Sequence, residues 1–278
     1  MSENSSPRVS VITVVFNAAG EIQRTLDSVQ QQKYKNLEHI VIDGGSTDGT
    51  VEIIRQAQAG LVFWSSRPDS GIYQAMNQGL AKAGGDLIGM LNAGDRYPPD
   101  AVSALVEARR DSPQGDVYHG NVCLVSRRGG YQETLFPEID YRLLTVKMTL
   151  NHPGSFITRN AYLKYGYYNE NYKIAGDYDL FSRFYLKGAS FRYLDRTMAF
   201  MSEGGISEAR AKESAAECHA IRISHGIPRA RSLAILYRDI FLIRLRDLAG
   251  ILRLYPAIRL WRRIDSRIVK NKNRKIPI

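Results

Sequence analysis

The chain is poor in cysteine. Cys123 and Cys218 are its only two; they lack metal-ligand spacing and cannot make a disulfide framework, so a reducing compartment is the default. Long apolar runs are missing too. No stretch of about 18 uncharged apolar residues occurs, so no membrane-spanning helix is expected. Met1 to Pro7 are polar, without the apolar core of a signal peptide, and are expected to be disordered. There is no G-x-G-x-x-G after the first candidate strand and no G-x-x-x-x-G-K-[ST] anywhere. Dinucleotide oxidoreductase and P-loop NTPase readings are therefore poor.

Acidic residues are scarce only at one end. The formal net charge is +10, but residues 229–278 hold 14 Lys or Arg against 3 Asp, while the other 228 residues sum to −1. The basicity belongs to a tail, which argues against a body-wide nucleic-acid surface. A length of 278 residues allows a large core, and 44% hydrophobic with 24% charged residues is an ordinary globular composition.

Strand and helix patterns alternate along the first hundred residues. Arg8 to Phe16 is rich in Val and Ile and reads as a strand. Ile22, Leu26 and Val29 mark a helix, and Leu37 to Ile42 a second strand. Ser46, Thr47 and Asp48 are helix-start residues before Ile53, Ile54 and Ala57. Leu61 to Trp64 is a short strand, and Ile72, Ala75, Met76, Gly79, Leu80 and Ala83 fall at helical spacing. Leu87 to Leu91 suits a strand buried on both faces and runs into a polar tip, Asn92-Ala93-Gly94-Asp95. Val102, Leu105 and Val106 mark the next helix. This order implies a three-layer α/β/α, Rossmann-like domain with a mostly parallel central sheet.

In open α/β sheets ligands bind beyond the carboxyl ends of the strands, and three such ends carry notable residues. Phe16 and Asn17 offer an aromatic face and an amide. Asp43 offers an acceptor beside Gly44 and Gly45, and Asp95 a carboxylate after Gly94. Stacking, a carboxylate for a base N–H and a carboxylate for a phosphate-bound metal together describe a nucleotide-diphosphate site. Plain turn chemistry for Asp43 and Asn17 is the alternative.

Val9 to Asn17 and Val41 to Thr50 resemble the opening of family 2 glycosyltransferases of the GT-A fold. Asp69-Ser70-Gly71-Ile72-Tyr73-Gln74-Ala75-Met76-Asn77-Gln78-Gly79 is similar to a subgroup from bacterial exopolysaccharide and colanic-acid-type pathways. The resemblance covers roughly residues 8 to 207. It implies inverting transfer from a nucleotide-diphosphate sugar, a UDP-sugar first, with Mg²⁺ or Mn²⁺. On that mapping Phe16 stacks on the base, Asp43 binds it, Asn17, Asp69 and Asn92 join the donor site, and Asp95 holds the metal. Asn92 and Gly94 stand where the family often has carboxylates, and Gly44 where it often has a second Asp. Mg²⁺ accepts one or two carboxylates plus phosphate oxygens and water, so one Asp can suffice.

The second half, residues 116–228, is expected to complete the catalytic domain begun by the nucleotide-sugar-binding half, residues 8–115. Asp116 to Ser126 and Gly130 to Phe136 read as strands joined by a basic turn at Arg127, Arg128 and Gly129. Asn151 to Ile157 is a loop entering a strand, and His152 is a candidate contact to donor phosphate or acceptor, or a structural histidine. Seven tyrosines lie between Tyr162 and Tyr185, suited to an acceptor pocket or to core packing. Asp177 sits near a helix start, where amide groups would keep it ionised. Gly176-Asp177-Tyr178-Asp179-Leu180 resembles the family's E-D-x-D-L motif, which implies Asp177 as the base and leaves Asp179 as a supporting charge. Glu203-Gly204-Gly205-Ile206-Ser207 resembles a closing loop.

The tail, residues 229–278, reads as basic amphipathic helix. Leu233, Leu236, Ile240 and Ile243 fall on one side, with Arg231, Arg238, Arg246 and Arg253 on another; beyond Pro256 a second basic stripe follows. An anionic membrane surface is the expected partner, with packing on the domain or a homo-oligomer contact as the alternative. The sequence thus points to a peripheral enzyme at the inner face of the cytoplasmic membrane. It would serve a glycan or polyprenyl-diphosphate-linked acceptor, with no nucleic acid expected. Nucleotidyl transfer and a non-catalytic nucleotide-sugar-binding adaptor are the rivals.

Overall fold

A computed structural model describes residues 6–126 and 132–251. Most of the expected disordered start, the basic turn at 127–129 and the second basic stripe beyond Pro256 lie outside the described residues. The elements are β1 (Val9–Val15), α1 (Ile22–Gln30), β2 (Leu37–Asp43), α2 (Thr50–Gln56), β3 (Phe63–Ser66), α3 (Ile72–Leu80), β4 (Leu87–Asn92) and α4 (Ala101–Asp111). Then come β5 (Val117–Val125), β6 (Gln132–Leu135), β7 (Ser155–Thr158), α5 (Arg159–Tyr165), α6 (Gly176–Leu186), β8 (Phe191–Ser202), α7 (Ile206–Ala209), α8 (Ala211–Ser224) and α9 (Arg229–Ile251).

One sheet runs in the order β3-β2-β1-β4-β7-β5-β6, with β8 also paired to β5. The ladders from β3 to β4 are parallel, as helical crossovers require. Beyond β4 the pairing turns antiparallel at β7 and at β6, while β5 and β8 run parallel. Every residue of β1 is buried, which a strand between two helix layers needs. Ile12, Val14, Ile88 and Met90 pack with Tyr73, Met76, Leu180 and Phe181 on the face of α3 and α6. On the other face Val11, Leu87 and Leu91 meet Val102 and Leu105 of α4, and Val15 and Val41 meet Ile22 and Leu26 of α1. The expected three-layer GT-A-type architecture is what the chain forms.

A buried carboxylate locks the entry to the sheet. Glu38, in β2, is 4% exposed; it accepts from the Ser10 hydroxyl and the Gly84 and Gly85 amides, and meets Arg8 at 2.5 Å. Arg8 is half-exposed while Glu38 is buried, so removing Arg8 would leave a buried charge held by the hydroxyl and the two amides alone.

The tightest helix-to-sheet contact falls at Gly79. A Cβ there would lie 2.3 Å from Ile12 Cγ2, so α3 rests on β1 because residue 79 has no side chain. Alanine has the better helix propensity by about 1 kcal/mol. Overpacking a close-packed core nevertheless costs about 1–3 kcal/mol. Gly79→Ala should therefore lower stability despite that propensity, measured by urea unfolding; an unchanged or higher midpoint would contradict the packing argument.

Candidate active site

The ends of β1, β2 and β3 are tied together by polar side chains. Asp43 ends β2 and is 1% exposed. Its Oδ2 accepts from the Gly45 and Ser46 amides at 3.0 and 2.9 Å and from the Ser66 hydroxyl at 2.6 Å, and its Oδ1 accepts from Ser46 Oγ. Ser46 Oγ in turn accepts from the Asn17 amide at 2.7 Å, and Asn17 Oδ1 accepts from the Thr47 amide at 2.9 Å. Asn17 adopts φ +47°, left-handed backbone that Asn tolerates better than most residues. Phe16 beside it is 64% exposed, an aromatic face bare at the sheet's carboxyl edge. Ser46 and Thr47 do not cap the following helix. Gly49 holds the N-cap position, and Asp48 before it accepts from the Thr50 amide and hydroxyl and from the Ala19 amide.

The two glycines that depart from the family pattern each face a carboxylate from another segment. A Cβ on Gly44 would come within 2.7 Å of Asp69 Oδ2, and one on Gly94 within 2.8 Å of Glu21 Oε2. Asp69 is held by the Gly71 amide at 2.9 Å, just ahead of α3. Asp95 is buried against β8 and accepts from the Ser202 amide at 3.1 Å. Burial chiefly, with the Glu21 charge adding, pushes its pKa up to about 7 against the pull of the Ser202 amide. Asn92 projects to the same face as Ile88 and Met90, and its Oδ1 is buried with no hydrogen-bond partner among the described residues. Three His, Cys, Asp or Glu side chains do not converge on a metal position among the described residues. Two carboxylates, Glu21 and Asp95, do approach each other. Such hard oxygen donors suit Mg²⁺ or Mn²⁺ when phosphate oxygens and water complete the shell.

Asp177 is the second residue of α6. It accepts from the Tyr178 amide at 2.8 Å and lies 3.4 Å from the Tyr73 hydroxyl, which itself donates to the Ile174 carbonyl at 2.7 Å. The helix-start amides do not by themselves decide the proton affinity of Asp177. Burial outweighs the amides and the nearby His152, and raises its pKa. His152 is buried, with Nε2 2.8 Å from the Tyr168 hydroxyl, and desolvation lowers its pKa. Desolvation thus disfavours a charge on this ring, against the opposing pull of Asp177. Asp179 is buried between Arg183 and His225, so it joins α6 to the end of α8. Tyr162, Tyr165, Tyr168 and Tyr178 are core residues; packing accounts for them, while Tyr167 is exposed.

The sequence matches the family described as Glycosyl transferase family 2 over residues 10–166. The chain belongs to that family. It is 40% identical over 184 residues to an uncharacterized glycosyltransferase of Mycobacterium tuberculosis, covering 64% of this chain and 69% of that one. It is 33% identical over 202 residues to a hyaluronan synthase of Pasteurella multocida, covering 69% of this chain but 20% of the synthase. Among solved structures, the mannosyltransferase PcManGT of Pyrobaculum calidifontis in complex with GDP-Man and Mn²⁺ superposes with a TM-score of 0.62, over 98% of this chain and 89% of that one, at 19% identity. S. aureus TarS in complex with UDP-GlcNAc gives 0.60 over 84% of this chain and 71% of that one, at 18% identity. At such identities the likeness is one of fold.

Two residues of this glycosyltransferase escaped the sequence reading. Glu21 carries no motif and reaches the β4 tip only through the fold. Glu217 of α8 accepts from three successive amides, Lys173, Ile174 and Ala175, at 2.8, 2.9 and 2.8 Å. Those residues lead directly into Asp177. Bonds to a charged acceptor contribute about 1.5–3 kcal/mol each, and small misplacements of a reacting group cost up to about a hundredfold in rate. Glu217→Ala should lower kcat by about tenfold or more with donor KM little changed, and Glu217→Gln should recover part of the loss. Steady-state kinetics decides: a rise in donor KM alone would remove Glu217 from this positioning role.

Proposed function

We propose that the protein transfers a sugar, with inversion, from a nucleoside-diphosphate sugar to a hydroxyl of a glycan or polyprenyl-diphosphate-linked acceptor in polysaccharide assembly. The observation that carries the reading is the placement of Asp177. A carboxylate of raised proton affinity stands against α3, the helix that follows the Asp69–Gly71 turn of the donor side. A UDP-sugar is the first donor to test, because TarS is seen with UDP and UDP-GlcNAc. Relatives named for hyaluronan and chondroitin synthesis favour a polysaccharide product. Residues 8–115 would hold the donor, residues 116–228 the acceptor, and residues 229–278 would meet the inner face of the cytoplasmic membrane.

In this mechanism Phe16 stacks on the base. Asp43 frames the turn beneath it, and Oδ1, with one donor already bonded, keeps room for a base N–H. The unpartnered Asn92 Oδ1 accepts from a donor hydroxyl. Asp177 takes the proton as the acceptor oxygen bonds to the anomeric carbon. The bond from that carbon to the phosphate oxygen breaks, and the nucleoside diphosphate leaves with the electron pair. Glu21 and Asp95 would hold a divalent ion, whose chemistry is to neutralise the leaving diphosphate as a Lewis acid.

Asp177 accepts a proton only as the carboxylate. Because its pKa is raised, the active form is present above the shifted value and lost below it. The acid limb of kcat/KM should therefore lie above about 4, the ordinary carboxylate value. Asp177→Asn should fold, bind UDP and lose about 10²–10⁴-fold in transfer; near-normal transfer would exclude it as the base. Mn²⁺ should tighten UDP binding in calorimetric titration, and Asp95→Asn or Glu21→Gln should weaken that effect. Equal UDP affinity with and without Mn²⁺ in the unaltered protein would count against a metal at this position.

A further inference from the structure

The outer face of α9 carries an apolar stripe beside the basic side that the sequence pattern marks. Leu233, Leu236, Ile240 and Ile243 are half-buried. Ser232, on the side of Leu236 and Ile243, is fully buried, within 2.7 Å of His219 Nδ1 and bonded by Arg222 Nε at 3.1 Å. Both partners belong to α8, so the expected apolar side is spent on the body. The opposite side carries Tyr237 at 68%, Phe241 at 60%, Leu245 at 46% and Leu248 at 51% exposure. Their spacing, i, i+4, i+8, i+11, makes one continuous stripe. On a helical projection Arg244 borders it on one side, and Arg231 and Arg238 on the other. Among the described residues no helix is long and apolar enough to cross a membrane.

We propose that this stripe is a docking surface for an anionic lipid bilayer, with α9 lying in the interface and Tyr237, Phe241, Leu245 and Leu248 turned into it. The proposal deepens the membrane partner named above and does not depend on the transfer reaction. Charge selects the occupant. α9 carries five Arg against two Asp, and residues 252–278 add nine Lys or Arg against one Asp. A second copy of the chain, or its own last residues, would bring like charge to the edges of the stripe. A bilayer with anionic headgroups offers an apolar interior and negative edges together. Arg side chains can lie along that boundary with their charges in the headgroups, and an aromatic residue with a polar tip suits the same depth.

The test uses the full chain and substitution rather than truncation, because α9 also packs on α8. Cosedimentation with phosphatidylglycerol–phosphatidylcholine vesicles should exceed that with phosphatidylcholine alone and fall as salt rises. Phe241→Ser combined with Leu245→Ser should weaken partitioning by about tenfold or more. UDP affinity and the unfolding midpoint should stay as in the unaltered protein, since both side chains are exposed. Arg231→Glu combined with Arg244→Glu should abolish the preference for the anionic vesicles. Unchanged partitioning of the Phe241/Leu245 variant overturns the proposal, as does failure of the unaltered protein to bind anionic vesicles. A concentration-dependent dimer that the same variant dissolves, without vesicle binding, would assign the stripe to a second copy instead.

Discussion

The carboxyl edge of this sheet depends on one buried carboxylate. Asp43 gathers donors from its own turn and from β3, and through Ser46 it also fixes the backbone of Asn17 at the end of β1. Without this network the Gly45 and Ser46 amides of the β2 turn and the Asn17 amide at the end of β1 would lose their acceptors, and β3 would lose its Ser66 hydroxyl bond. The network satisfies them and holds Asn17 in left-handed backbone. Phe16, immediately before that bend, is thereby left facing outward. The same bonds that make the edge rigid make the aromatic face available.

A second constraint is the supply of negative charge around the proposed diphosphate position. Gly44 and Gly94 have no side chains, yet the space each leaves is bordered by Asp69 or Glu21. Each of the two glycines is thus faced by a carboxylate from a distant segment of the chain. The arrangement gives the β4 tip two acidic groups instead of one, and the burial of Asp95 makes the pair costly to ionise together. Cation binding relieves that cost, so the proposed metal site and the raised proton affinity have one electrostatic origin.

How far the fold could be read follows from how local each signal is. From β1 to α4, period and turn residues agree with one another, and every expected element forms within a few residues of its place. β8 was missed, although it has 12 residues. Arg192, Asp195 and Arg196 break its apolar pattern, and its ladder with β5 slips twice near Asn121. The helix start at Asp177 was legible, but the upward direction of its pKa shift was not. The helix amides are visible in sequence; the burial that overrides them exists only once the chain has folded around the start of α6. α9 shows the same limit differently. It is apolar on two sides, and only packing on α8 decides which side is left to the outside.

α8 consequently has two tasks that sequence alone would not join. Glu217 fixes the three amides that lead into Asp177, and Asp179 meets His225 just past the end of the helix. From the same helix, His219 and Arg222 grip Ser232 of α9, while Arg222 also donates to the Val146 carbonyl. Asp177 and the outward stripe are thus referenced to one rigid element rather than to each other through loops. If α9 lies on a bilayer, the height of Asp177 above that surface is set by the packing of α8. An acceptor tethered to lipid would then meet its base at a distance fixed by the fold.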